Sequence, residues 1–237
     1  MKAVILAAGK GTRMADLTKN LPKPMLDVEG KPVLQHIVEG LRDVAGIRDF
    51  FIITGWCGHV IRDHFTDGAS LGVRVSYGEQ VVQDGTGKAP ELAKEWVGND
   101  RFMLTYGDIL LRPPTDYKLL VDAFKEDGVI AVKDGEDLTK GGAVVLDSDG
   151  FMIELIEKGA GAPPANAYYN AGIYLLTPQI FKHTATLQKS PRGEYEFTDA
   201  LKSFVQAGAK LRGVTLTREW ADVRDPSVLA ELNKPKA

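Results

Sequence analysis

KAVILAAGKGTRM, residues 2–14, carries a run of apolar residues that breaks at once into glycines and cations. After Lys2 the run has no polar alternation, which is the pattern of a central strand covered on both faces. Directly behind it stand Gly9, Lys10, Gly11, Thr12 and Arg13. A glycine-rich turn at the end of such a strand commonly cradles phosphate, because its N–H groups point inward and glycine lets a ligand approach closely. Two phosphate motifs fail here. G-x-G-x-x-G would need its third glycine at Met14, and no Gly-Lys-Ser/Thr follows at the distance a P-loop requires. The missing glycine argues against a dinucleotide-dependent oxidoreductase. What remains is a longer loop flanked by Lys10 and Arg13, and two cations with several free N–H groups suit a triphosphate better than a lone phosphate.

Outward from this stretch, strand and helix patterns alternate. PVLQHIVEGLRDV (32–44) has Val33, Leu34, Ile37, Val38 and Leu41 at helical spacing behind a proline suited to a first turn. Buried strands are predicted at 49–55 and 101–108, an alternating strand at 73–79 and a strand at 129–133. Helices are predicted at 59–65 and 116–127. The alternation predicts an α/β fold of Rossmann-like type, a mostly parallel twisted sheet with helices on both faces. The second half changes character. A hairpin is expected over 142–158 around DSDG, with strands at 167–177 and 210–216 and helices at 194–208 and 225–233. Asp225 reads as an N-cap before Pro226. The hairpin should extend the sheet or form a small β-rich lobe at its edge, and the loop GAGAPPANA (159–167) is placed to cover a site.

Composition narrows the class. At 237 residues, 44% apolar and 26% charged, the chain can bury a substantial core. A net charge of −3 gives no reason to expect nucleic acid or a membrane surface as a partner. The single cysteine excludes an intramolecular disulfide and a cysteine-rich zinc site. Neither a spanning segment nor a signal-peptide pattern is present, so a cytoplasmic protein is expected. Nothing in the sequence decides between a monomer and a homo-oligomer.

The next stretch, LPKPMLDVEGKPVL (21–34), places Lys23 between Pro22 and Pro24. Two fixed φ angles hold an ammonium in one place, as a phosphate clamp requires. Together, LAAGKGTRM (6–14) and PKPM (22–25) resemble the sugar nucleotidyltransferase family, whose signature reads L-A-A-G-x-G-T-R-[ML] and then P-K-[PA]-[ML]. The resemblance runs from Lys2 to about Asn233. It implies a GT-A-like nucleotidyltransferase fold in one domain over 1–237, with a nucleotide-binding half at about 1–135 and a sugar-phosphate-binding half at about 136–237. No hexapeptide repeats are visible, so a single activity is expected.

Followed residue by residue, the resemblance implies a nucleotide site of Leu6, Ala8, Gly9, Gly11, Thr12 and Arg13, joined by Gln80, Gly85 and Thr86. The last three match Q-x-x-x-x-G-T-[GA]-x-A of uridylyl- and thymidylyltransferases. A glutamine amide can donate and accept at a pyrimidine edge at once. The family's metal site is implied at Asp108, in the Tyr106-Gly107-Asp108 segment, and at Asp222, in Trp220-Ala221-Asp222-Val223, as hard ligands for Mg²⁺. The family pattern continues G-[TS]-P, whereas this chain has Arg224-Asp225-Pro226, which makes Asp225 a second candidate. On the sugar-phosphate side the resemblance implies Gly107, Gly142, Glu157, Lys158 and Asn170, with Glu196 either lining the pocket or lying on a helix surface.

The implied partners are a nucleoside triphosphate and a sugar 1-phosphate. Attack of the sugar phosphate on the α-phosphorus needs no general base, only positioning and relief of repulsion. Arg13, Lys23 and Asp108 are the implied catalytic residues. A CTP- or GTP-dependent enzyme, a phosphocholine-type cytidylyltransferase and a non-catalytic nucleotide-sensing subunit of the same fold are the competing readings. Cys57 and the four histidines have no part in this scheme.

Overall fold

In a computed structural model of the chain, residues 1–158 and 161–234 are described. In chain order the strands and helices are β1 (Lys2–Ala7), β2 (Asp27–Val28), β3 (Lys31–Pro32), α1 (Val33–Val44), β4 (Asp49–Thr54), α2 (Gly58–Phe65), β5 (Arg74–Glu79), α3 (Lys94–Val97), β6 (Phe102–Tyr106) and β7 (Ile109–Arg112). Then follow α4 (Asp116–Asp122), β8 (Gly128–Lys133), β9 (Ala143–Leu146), β10 (Met152–Ile156), β11 (Tyr168–Leu176), α5 (Phe181–Ala185), α6 (Phe197–Gln206), β12 (Leu211–Thr215), β13 (Glu219–Asp222) and α7 (Pro226–Leu232).

β1 lies at the centre of the main sheet, paired in parallel with β4 on one side and β6 on the other. Its alternate residues feed two cores. Ala3, Ile5 and Ala7 pack with Leu34, Ile37 and Leu41 of α1 and with Tyr117 and Leu120 of α4. Val4 and Leu6 pack with Phe181 of α5 and with Phe197, Leu201 and Phe204 of α6. This two-sided burial is why the opening strand is apolar without alternation. Each large side chain so buried contributes roughly 1.5–3 kcal/mol.

The sheet continues from β4 to β5 in parallel, and from β6 to β11 antiparallel. β8 also pairs antiparallel with β11, and β12 joins β8 in parallel. The mostly parallel sheet with helices on both faces is therefore present, interrupted by the reversed β11. The β9–β10 hairpin joins through the start of β11, where Tyr168 and Tyr169 pair with Val144 and Ala143. It extends the sheet as a small lobe.

Several boundaries differ from expectation for identifiable reasons. The strand predicted at 101–108 ends at Tyr106. Gly107 and Asp108 then turn the chain into β7, which leaves the main sheet and pairs antiparallel with β13, Asp222 opposite Ile109. The helix predicted to 127 stops at Asp122, where the i→i−3 bond from the Phe124 N–H to the Val121 carbonyl turns the chain toward β8. The helix predicted from 194 starts at Phe197, because Tyr195 is held in extended pairing with the 84–87 loop. The Asp225 cap is present, its carboxylate accepting from the Ser227 and Val228 N–H groups. Of the 159–167 loop, Gly159 and Ala160 lie outside the described residues.

Candidate active site

The carboxyl ends of β6, β1 and β5 open onto a cavity of about 350 Å³. Ligands of open α/β sheets bind at this end, where loops leave adjacent strands in different directions. Leu6, Ala8, Gly9, Gly11, Thr12 and Arg13 from the opening stretch line it, with Lys23, Gln80, Gly85, Thr86 and Asp108. All nine positions expected on the nucleotide side therefore face one space with Asp108 and Lys23.

The opening loop has a defined shape. Gly11 adopts φ +62, and a Cβ there would lie 3.1 Å from Lys23 Cβ and 3.2 Å from Thr18 Cγ2. Thr12–Thr18 forms a 3₁₀ turn anchored by the fully buried Met14, whose N–H bonds the Gly11 carbonyl. The Thr18 hydroxyl donates to the same carbonyl at 2.9 Å, and the Trp56 indole N–H donates to the Thr18 carbonyl at 3.1 Å. Among the described residues the N–H groups of Gly9, Lys10 and Gly11 have no backbone acceptor. They remain free for a ligand.

Gln80 is engaged differently from the simple expectation. One of its amide N–H groups donates to the Gly85 carbonyl at 2.8 Å, which closes the intervening loop and leaves the side-chain oxygen and one N–H free. Gly85 has φ +113, and a Cβ would fall 2.3 Å from the Tyr195 carbonyl oxygen, so no other residue fits. The loop is pinned from both sides. The Tyr195 N–H bonds the Asp84 carbonyl, and the Gly87 N–H bonds the Tyr195 carbonyl.

Lys23, only 8% exposed, is the centre of the charge arrangement. Its ammonium donates to Asp108 Oδ2 and lies 3.6 Å from Asp222 Oδ1. β7 and β13 make this possible: Asp108 precedes the one, Asp222 ends the other, and the Val223 N–H bonds the Asp108 carbonyl. Burial, and then the neighbouring Asp108 carboxylate, push the Asp222 carboxyl up to about 6, against Lys23, Arg224 and Arg13. Asp225 is not part of this pair. Its carboxylate caps α7 and is held below its usual range first by the Ser227 hydroxyl. No group of three or more acidic, histidine or cysteine ligands occurs among the described residues. A cation here would have two carboxylates and would complete its shell from phosphate oxygens.

Gly107 packs where a Cβ would meet Pro24 and Ala7 at 3.1 and 3.2 Å, and its N–H bonds the Leu6 carbonyl. The remaining sugar-side residues are not brought into the same cavity. Glu157 and Lys158 line a second one of about 340 Å³ with Leu138, Thr139, Ala143 and Ile156. The Gly142 carbonyl accepts from the Asn170 N–H, and the Asn170 amide exchanges hydrogen bonds with the Tyr174 hydroxyl at 2.8 and 3.0 Å. A bulge between Asn170 and Tyr174, with Gly172 at φ +75, turns this end of β11. Glu196 is 7% exposed and accepts from Arg192 and Ser190, and Arg192 also lies 3.6 Å from Glu157. Tyr106 faces the first cavity, and burial pushes its hydroxyl up to about 12.

Sequence reasoning passed over Arg192, Arg224 and Asp116. Asp116 is 3% exposed and accepts from the Thr217 N–H, the Thr217 hydroxyl and the Arg218 N–H, which fixes the turn into β13. Its signal was weak, an acid at a helix start. Arg224 stood where the chain departs from the family pattern, and that departure was the signal. No helix among the described residues is long and apolar enough to cross a membrane.

The bifunctional protein GlmU of Methanocaldococcus jannaschii is 37% identical over 99% of this chain, which spans 54% of that relative. The chain spans about half the length of the curated relatives it first matches. The UTP–glucose-1-phosphate uridylyltransferase AglF of Haloferax volcanii is 32% identical over 95% of this chain and 92% of its own length. A crystal structure described as a glucose-1-phosphate thymidylyltransferase from Bacillus anthracis, in complex with sucrose, superposes with a TM-score of 0.87 at 29% identity, covering 98% of this chain and 94% of that one. Residues 2–236 match the family model described as nucleotidyl transferase, so the loop and lysine that open this chain are those of a member of that family.

Proposed function

We propose that this chain transfers a nucleotidyl group from a nucleoside triphosphate, UTP or dTTP, to a sugar 1-phosphate. The observation that carries the reading is Lys23, held between Asp108 and Asp222 on the floor of the cavity walled by the Gly9–Arg13 loop. An oxygen of the sugar phosphate forms a bond to the α-phosphorus. The bond from that phosphorus to the α–β bridging oxygen breaks, and its electron pair leaves with pyrophosphate. The nucleophile is already an anion, so the protein's task is to align two phosphates and offset their repulsion.

Arg13 and the Gly9–Thr12 amides would receive the β- and γ-phosphates, where leaving charge develops. Lys23 would turn to the α-phosphate or the attacking phosphate. Asp108 and Asp222 fit Mg²⁺ as two hard oxygen donors, with burial and then the Asp108 charge raising the proton affinity of Asp222. Bound there, the ion would supply positive charge between the two phosphates. Glu157, Asn170 and Gly142 would address sugar hydroxyls, and Lys158 the sugar's phosphate. The free oxygen and N–H of Gln80 support a pyrimidine base, as do the names of the Haloferax relative and the Bacillus structure. In this reading the first half of the chain holds nucleotide and the second half sugar phosphate. Both substrates are cytoplasmic, and the product would feed cell-envelope polysaccharide.

The test is Mg²⁺-dependent pyrophosphate release over ATP, GTP, CTP, UTP and dTTP against a panel of sugar 1-phosphates. Turnover with UTP or dTTP, abolished in Asp108→Asn, is expected. Turnover with CTP or GTP would overturn the Gln80 assignment alone, whereas a blank grid would overturn the reaction.

A further inference from the structure

We infer that Arg224 is a substrate-binding cation that receives the phosphate of the acceptor, a phosphate monoester, opposite the Gly9–Arg13 loop. The inference rests on the transfer reaction proposed above and adds a residue to it. Arg224 stands in this chain at the position where the resembling family has glycine after its W-x-D-[VI] segment. Its side chain lines the same cavity as Lys23 and Asp108.

The backbone beneath it is fixed from both sides. Val223 is fully buried and its N–H bonds the Asp108 carbonyl, while the Arg224 N–H bonds the Asp222 carbonyl at 2.7 Å. On the other side, Asp225 caps α7. A half-buried guanidinium is thus presented from a rigid corner. Among the described residues it forms no ion pair with a carboxylate. Its hydrogen bond is a long one, 3.4 Å to the Tyr169 hydroxyl. A planar fork of donors facing a cavity with most of its hydrogen-bonding capacity free is suited to a phosphate.

The Tyr169 contact says which phosphate. Tyr169 belongs to β11, immediately before Asn170, one of the residues proposed above to address the sugar. Its hydroxyl sits so close to Gly141 that a Cβ there would lie 2.2 Å away, which sets it beside Gly142. Arg224 therefore reaches from the first cavity toward Tyr169, which packs against Gly141 beyond the cavity lining. Arg13 and the free N–H groups belong to the Gly9–Arg13 loop of the same cavity. A phosphate monoester entering from the sugar side would meet Arg224 and Lys23 together. Lys158 lines the second cavity and Arg224 the first, so Arg224 would meet the acceptor phosphate where it enters the first cavity, with Lys158 reaching it from the second.

The experiment compares wild type, Arg224→Gln and Arg224→Lys with the triphosphate and sugar 1-phosphate that turn over best in the grid above. R224Q is expected to raise the KM of the sugar 1-phosphate about tenfold or more, with the KM of the triphosphate within about twofold. R224K should recover part of the loss, since it keeps the charge without the fork. It also serves as the variant of record if R224Q folds poorly. A rise confined to the KM of the triphosphate would assign Arg224 to the β- and γ-phosphates and overturn the inference. Unchanged constants for both substrates would do so too.

If wild type shows no turnover, the reaction has failed rather than Arg224. Inorganic phosphate binding to wild type and R224Q, measured by calorimetry, then decides the anion site. A loss of about fivefold or more in the variant sustains it, and equal binding overturns it.

Discussion

The two cavities are built by different means. The first is made of backbone and short loops behind the ends of β6, β1 and β5, its shape set at Gly11, where a Cβ would crowd Lys23 and Thr18, and at Gly85, where no side chain fits. The second is made of side chains from the β9–β10 hairpin and the loops around it. Its carboxylate, Glu157, is steadied by Arg192, a half-exposed guanidinium 3.6 Å away that bonds Glu196 more closely, at 2.8 Å. The loops of the first cavity are closed by the Gln80–Gly85 bond and by the bonds between Tyr195 and the 84–87 segment. On the proposed reading the first side would carry the reaction and the second the choice of acceptor.

Losing a charge from the first side should cost most. Lys23→Ala is expected to lower kcat about a hundredfold to a thousandfold, the scale for a removed charge-stabilising group. Lys158→Ala should raise the KM of the sugar 1-phosphate several-fold with a smaller effect on kcat. Steady-state kinetics on both variants would show whether the two sides differ in this way, and equal losses in kcat would erase the contrast.

A second test probes shape rather than charge. Gly85→Ala places a methyl against the Tyr195 carbonyl in a backbone conformation that disfavours it, so a loss of about 2–4 kcal/mol is expected in urea unfolding. A change within about 0.5 kcal/mol would mean that the loop is not held rigidly.

The third concerns the strain in the carboxylate pair. Burial and Asp108 raise the Asp222 carboxyl to about 6 in the folded chain, above its ordinary value of 3.8. Above pH 6 the folded protein carries the ionised, disfavoured carboxylate; below about 3.8 both folded and unfolded states are protonated. Asp222→Asn should therefore stabilise the metal-free protein by about 1–2 kcal/mol at pH 8, the gain shrinking as pH falls from 6 toward 4. The same variant should lose transfer activity. A gain that is independent of pH would show that the pair is not the source.

The smallest effect is expected at Arg192. Arg192→Ala removes a half-exposed ion pair worth about 1 kcal/mol or less, so thermal stability should barely move while the KM of the sugar 1-phosphate shifts a few-fold. A large drop in melting temperature would show that the second side is as rigid as the first.

Much of the first side is legible along the chain because it is local. The strand, the glycine loop and the lysine between two prolines fall within residues 2–25, and each has a short-range physical cause. Gln80 and Gly85 are five residues apart and are joined by a direct hydrogen bond. The adjacency of Asp108 and Asp222 is of another kind. It depends on β7, which lies beyond the strand predicted at 101–108, and on its pairing with β13 far along the chain. The Arg192 link and the direction of Arg224 likewise depend on where distant strands come to rest.

The α/β class, the central strand and the phosphate-type loop are legible along the chain, because apolar periodicity, backbone freedom and fixed φ angles act within a few residues of their cause, and the family is legible as a resemblance in LAAGKGTRM and PKPM. Long-range pairing was needed to show that Asp222 rather than Asp225 shares Lys23 with Asp108, that Glu157 and Lys158 face a separate cavity, and that Arg224 reaches Tyr169. The reason is physical. A carboxylate or guanidinium takes its role from the charges and walls it meets, and those are supplied by strands paired across a hundred residues of chain.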